Sequence, residues 1–90
     1  MIRFDAILWD DAADLTGNVR HVAAHGITPA EVESVLRNPN AEDGVSRSTG
    51  RKMAFGWTDT GKFLAVAYTV KQTRATVALY PVTAYPVDPY

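Results

Sequence analysis

The spacing of apolar and polar positions changes once along this chain, near Gly44. Before that point apolar residues recur at about 3.6 positions; after it they alternate with a period of two, as strands require. A short exception opens the chain, where residues 4–9 (FDAILW) read as a strand that ends at the turn-forming pair Asp10-Asp11. Residues 14–25 then place Leu15, Val19, Val22 and Ala23 on one helical face, weakened at Gly17 and stopped at Gly26. The next helix has the strongest local start signal in the sequence. Thr28, Pro29 and Glu31 stand at N-cap, N1 and N3, so the threonine hydroxyl and the glutamate carboxylate can each satisfy an orphan backbone donor. Ile27 and Val32 complete it as a hydrophobic staple. This helix is expected from Pro29 to about Asn38, burying Val32, Val35 and Leu36, with Arg37 at its negative end and Asn38-Pro39 as its stop.

The alternating half divides into four strands, residues 45–48, 52–58, 62–70 and 74–82. Ser48-Thr49-Gly50 and Asp59-Thr60-Gly61 supply the glycines that short hairpin loops need, and Lys71-Gln72-Thr73 precedes the last strand. The expected fold is α+β in the order β-α-α-β-β-β-β, with both helices packed on one face of a single antiparallel sheet and the other face open. Within it, Met53, Phe55 and Trp57 are assigned to the core side, opposite Lys52, Ala54, Gly56 and Thr58. In the last strand Ala75, Val77 and Leu79 are expected inward, and Arg74, Thr76, Ala78 and Tyr80 outward. Phe55 and Val66 join the expected core, as do Tyr68 and, by their apolar surroundings, Trp9 and Trp57. Residues 85–90 are read as an irregular tail, because Pro86 and Pro89 have no donor for a central strand.

At 90 residues and 47% hydrophobic the chain is read as one small domain able to close a core. It has no cysteine, which excludes disulfides, thiolate zinc sites and cysteine nucleophiles. Its longest apolar run, residues 63–68, is too short to cross a bilayer, and the beginning of the chain lacks signal-peptide features. A cytoplasmic, soluble protein without a membrane role is the expectation. The formal net charge of −1 hides an uneven distribution: residues 1–43 carry three arginines against eight carboxylates, residues 44–90 six cations against two. A basic second half suits contact with nucleic acid or an acidic partner, and uneven scatter in a small domain accounts for it equally well.

Several short motifs now fall into a pattern. Trp9-Asp10 after a first strand, Asn18 in the first helix, His25-Gly26-Ile27 before a capped helix, Asn38-Pro39, Arg51 with Gly56 five residues on, Tyr68-Thr69, and Arg74 leading the last strand together resemble the BrnT toxin family of the RelE/ParE superfamily. The resemblance covers about nine-tenths of the chain. It implies a RelE-like domain and the toxin component of a type II toxin–antitoxin system: a metal-independent, ribosome-independent messenger RNA endoribonuclease, neutralised by an antitoxin protein. It calls for no cofactor and leaves room for a homo-oligomer. The family's usual basic residues after Trp-Asp and near the end of the last strand are replaced here by Ala12 and Ala13 and by Tyr80-Pro81-Val82-Thr83.

Cleaving RNA without a metal needs a base for the 2′-hydroxyl, a cation for the charge building on phosphorus and an acid for the leaving oxygen. The residues assigned to that chemistry are His25, Arg51 and Arg74, with Lys52 and Tyr80 as RNA contacts. The unperturbed pKa of a histidine suits proton transfer near neutrality, but the reading preferred from helix-end chemistry is that His25 bonds the last carbonyls. Arg51 and Arg74 have planar guanidinium groups that grip phosphate through two hydrogen bonds. His21 and His25 share a helical face but lack further ligands, so no metal site is expected. An acidic or amphipathic partner segment is expected over Arg74 and Tyr80. Two other functions fit the same residues: a non-catalytic interaction domain of this fold, and a regulator that binds nucleic acid without cutting it and has no use for His25.

Overall fold

The computed structural model of the chain describes residues 3–89. Its elements run β1 (Ala6–Ile7), α1 (Asn18–Ala23), α2 (Pro29–Leu36), β2 (Glu42–Val45), β3 (Lys52–Trp57), β4 (Phe63–Gln72) and β5 (Val77–Pro86). The predicted element order holds, but the sheet is mixed rather than antiparallel. Its five strands lie in the order β1-β5-β4-β3-β2, and β1 pairs with β5 in parallel, Ala6 opposite Ala78 and Ile7 opposite Leu79. The first strand reaches its partner only after the whole chain has folded back, so no local turn signal announces the pairing.

Helix α2 forms as its cap dictates. Thr28 Oγ1 accepts from the Glu31 backbone N–H at 3.2 Å while Glu31 Oε1 accepts from the Thr28 N–H at 3.1 Å. The helix ends at Leu36, two residues before the expected stop. Helix α1 is half the predicted length, because the Asp11 and Asp14 side chains bond the backbone two residues on and fold residues 11–16 into turns. Leu15 consequently lies outside the helix and is 74% exposed.

Both helices pack on one face of the sheet. Val22, Ile27, Val32, Val35 and Leu36 meet Ala54, Leu64, Val66, Tyr68, Leu79 and Ala84 in the main core. The face assignment of β3 is the reverse of the one expected. Ala54 and Gly56 lie under α2, whereas Met53 and the half-buried Phe55 pack with Ala65, Ala67 and Val87 on the opposite face, and Trp57 is 51% exposed against Phe63. Small residues win the helix side because the helix comes close: a Cβ on Gly56 would stand 3.4 Å from both Val35 Cγ1 and Ala41 Cβ. Trp9 is half-buried against the main core and donates its indole N–H to Glu33 Oε2 at 2.9 Å.

Strand β5 starts later and ends later than expected. Arg74 and Ala75 lie in the turn that joins it to β4, and Leu79 faces the helices. A register shift beside Ala67/Tyr68 leaves Val82 without a partner, which moves the core-facing positions from Leu79 to Ala84. The strand continues through Tyr85 and Pro86, so the first two residues of the predicted tail are sheet, while 87–89 follow it outside any element; Tyr90 lies outside the described residues. The prolines are tolerated because β1 leaves β5 after Leu79. The Val87 N–H bonds Phe63 O, so by alternation the Pro86 nitrogen faces the edge that has no strand beside it. Among the described residues no helix is long and apolar enough to cross a membrane.

Leu36 lies fully buried at the end of α2. Leu36→Ala is expected to cost about 2–5 kcal/mol, read as a lower denaturant midpoint with an unchanged slope.

Candidate nucleic-acid interface

Strand direction decides where the charges collect. The start of β1, the turn after β2, the start of β3, the turn between β4 and β5, and the end of α2 all fall at one end of the sheet. The register fixes this for the strands: Asp5 N–H bonds Val77 O, Gln72 pairs with Val77, and Val45 pairs with Lys52, which pairs with Tyr68; Arg37 over the Phe4 ring sets the end of α2 beside the start of β1. That end therefore carries Arg3, Arg37, Arg47, Arg51, Lys52, Lys71 and Arg74, seven of the nine lysines and arginines in the chain. Arg20 and Lys62 are the two elsewhere. Asp10, Asp11, Asp14, Asp59 and Asp88 follow β1, β3 or β5 toward the opposite end. The contrast between sequence halves becomes in the folded chain a contrast between two ends of one sheet, although Asp5 lies beside Arg3 and Glu33 pairs with Arg37 at the basic end.

Arg51 is set by its turn. Gly50, at φ +72°, lets the loop close with Gly50 N–H to Ser46 O at 2.8 Å and Ser46 N–H to Arg51 O at 2.9 Å. The Arg51 guanidinium is exposed and donates through Nη1 to Thr69 Oγ1 at 3.4 Å. Beside it, Arg51, Lys52, Thr49 and Thr69 border a depression of about 320 Å³ between this turn and β4. Arg74 is exposed in the neighbouring turn, which Thr73 and Thr76 close through their hydroxyls. Phosphate oxygens meeting this end would find exposed guanidinium and ammonium donors beside two threonine-bearing turns.

His25 stands elsewhere. It follows α1 at the opposite end, exposed, with its ring 6.0 Å from that of Tyr85, and the next carbonyl, of Gly26, accepts from Lys62 Nζ at 3.1 Å. Tyr85 is paired with Ala65, seven residues along β4 from Gln72, so His25 and Arg74 are separated by roughly 23 Å of strand. The structure brings Arg51, Lys52 and Arg74 to one end and does not bring His25 to them. His21 lies on α1 with Nδ1 3.3 Å from Val82 O.

Tyr80 is half-buried and committed. Its hydroxyl donates to Asp10 Oδ2, and the Asp10 carboxylate also accepts from the Asn18 backbone N–H at 3.0 Å. These bonds, Tyr80's first, hold the Asp10 carboxyl below its usual range, and the same bond with burial raises the Tyr80 hydroxyl above its own. The tip of Tyr80 expected to meet RNA or a partner is instead a fastener between β5 and the loop after β1.

A second polar cluster lies beside Lys62. The buried Glu31 accepts from Thr60 Oγ1 at 2.5 Å and pairs with Lys62 Nζ at 3.1 Å. The Thr60 bond, then those of Lys62 and Thr28, outweigh the effect of burial and bring the Glu31 carboxyl down to about 2. A carboxylate with a lowered folded pKa stabilises the fold above its unfolded value, near 4.5, and loses that contribution as pH falls toward 2. Glu31→Gln should therefore flatten the acid limb of a stability–pH profile over that window. An unchanged limb would remove this assignment.

Sequence reasoning missed Arg3 and Arg37 as members of the basic end; strand direction, once the parallel pairing is known, is enough to find Arg3, and Arg37 is placed by the packing of α2 against Phe4. Compared with known proteins, the chain matches no family model and no curated sequence.

Proposed function

We propose that this chain binds single-stranded RNA through the basic end of its sheet, as the RNA-directed member of a toxin–antitoxin pair. The observation that carries the reading is the gathering of seven cations at one end of a protein whose net charge is −1. Such a distribution steers a polyanion to that end and repels it from the other, and exposed arginines hold phosphate by paired hydrogen bonds. Binding is favoured over cutting. Metal-independent cleavage needs a base near neutrality, and among the described residues this end has no histidine, while Tyr80 is held by Asp10. An antitoxin partner would neutralise the protein by laying an acidic segment across Arg51 and Arg74.

The order β-α-α-β-β-β-β, with both helices on one face, favours a second reading, since it is what the likeness to BrnT toxins implies. In that reading the same end holds messenger RNA for cleavage, with Arg51 and Arg74 countering the charge that builds on phosphorus and a RelE-like domain as the scaffold.

One experiment separates the two. Purified protein is mixed with a fluorescent single-stranded RNA and with its 2′-deoxy counterpart, anisotropy reports binding, and a gel reports cleavage. Binding of both strands with the RNA intact supports the first reading. Cleavage confined to the RNA, with growth arrest on expression, supports the second. Absence of binding to either at low salt removes both.

A further inference from the structure

At the basic end a depression of about 780 Å³ lies between the start of β1 and the end of α2, within the range of roughly 300–1,000 Å³ common for ligand pockets. Its floor is the buried Leu36, and its walls carry Arg3, Phe4, Asp5, Arg37 and Asn38. The Arg37 guanidinium lies over the Phe4 ring, 5.5 Å from its centre. Its ion pair with Glu33 runs through Nε at 3.4 Å, and the side chain is still 56% exposed. A guanidinium within cation–π range of a ring and more than half exposed offers, together with that ring, a surface on which a planar base can stack. Around it stand groups of both hydrogen-bonding senses. Asn38 uses its Oδ1 on the Asn40 N–H, which leaves its amide to donate, and Asp5 uses Oδ2 on the Val77 N–H, which leaves Oδ1 to accept. Arg3, exposed on the rim, adds a charge suited to phosphate.

We propose that this depression is a nucleotide subsite: the base stacks on the Phe4–Arg37 pair, Asn38 and Asp5 meet its edge, and the phosphate sits on Arg3. The proposal deepens the RNA-binding reading and rests on it for the source of the ligand, a nucleotide of the bound strand. Stacking plus one phosphate contact distinguishes this place from the Arg74 turn, and from the depression beside Arg51, where the one ring, that of Tyr68, is buried in the core.

The test uses adenosine 5′-monophosphate, with inorganic phosphate and adenosine as partial probes, titrated into isotope-labelled full-length chain and followed by amide shifts. Saturable shifts centred on Phe4, Asp5, Arg37 and Asn38 are expected, with both partial probes weaker by about tenfold. Arg37→Ala should weaken the mononucleotide by about tenfold and Arg74→Ala by less than about twofold. Phe4→Leu keeps the apolar packing and removes the ring, so it should weaken the nucleotide while leaving phosphate binding unchanged. Shifts spread over the whole basic end and equally sensitive to Arg37→Ala and Arg74→Ala would overturn the subsite. RNA binding that survives Phe4→Leu and Arg37→Ala at full strength, with no mononucleotide binding, would also remove it while sparing the RNA reading. Mononucleotide binding at these residues with no affinity for RNA would keep the subsite and remove the RNA reading.

Discussion

Asn18→Asp is expected to destabilise the fold by about 3–5 kcal/mol at neutral pH, although it exchanges one nitrogen for an oxygen. Asn18 is 1% exposed and makes three side-chain hydrogen bonds. Its Oδ1 accepts from the Asp10 N–H at 2.8 Å, and its Nδ2 donates to Leu8 O at 3.0 Å and to Pro81 O at 2.8 Å. One amide thereby ties the end of the first strand to β5 where β1 has ceased to pair. Aspartate keeps the acceptor and loses the donor. Its second oxygen would face two carbonyl oxygens, with the Asp10 carboxylate already bonded to the same residue's backbone. Asn18→Leu removes both functions without adding charge and should cost less, about 2–3 kcal/mol. The difference between the two variants should shrink below the carboxylate range, where a protonated aspartate can again donate to a carbonyl. Urea midpoints at two pH values check both statements. A neutral-pH loss for Asn18→Asp under about 1 kcal/mol would mean that the amide does not hold this junction.

Arg51→Glu combined with Arg74→Glu should lower RNA affinity by about 100-fold at low salt, each lost charge-assisted contact contributing about tenfold. Both residues are exposed, so the thermal midpoint should barely move. Each phosphate contact on a single strand adds about −0.7 to the slope of log K against log salt, and losing two should flatten it by about 1.4. Arg20→Glu is the control. That arginine lies on α1, away from the basic end, with Nε bonded to Ala12 O, and its reversal should change affinity less than about threefold. Equal losses from Arg20→Glu and from the double variant would indicate a response to net charge alone.

What could be seen in the sequence was local. The cap on α2 lies within four residues, each supplying its partner's missing bond, so Thr28, Pro29 and Glu31 announced a helix whatever surrounded it. Alternation in β3 announced a strand but not its phase. Bulk suggested that Met53, Phe55 and Trp57 faced the helices, and the closeness of α2 required the small Ala54 and Gly56 instead. Long-range pairing was invisible. The parallel pairing of β1 with β5 joins residues 72 positions apart, as the Asp5–Val77 bonds do, and no turn marks it. The candidate site divides the same way. Arg51 and Arg74 were readable as exposed turn arginines, Arg3 and Arg37 joined them only through topology, and His25 was carried away to the other end of the β4–β5 pair. Tyr80 looked free because its acceptor, Asp10, is 70 positions earlier in the chain.

The measurement that bears most directly on the basic end as the RNA interface is an amide-shift map of the labelled protein titrated with a short single-stranded RNA. The perturbed residues are expected to be those at the start of β1, around the end of α2, in the turn of residues 46–51 and in the turn of residues 73–76, with the shifts fading as salt is raised. Perturbation centred on His25 and Tyr85, or on Met53, Phe55 and Val87 on the face of the sheet opposite the helices, with those turns silent, would contradict it.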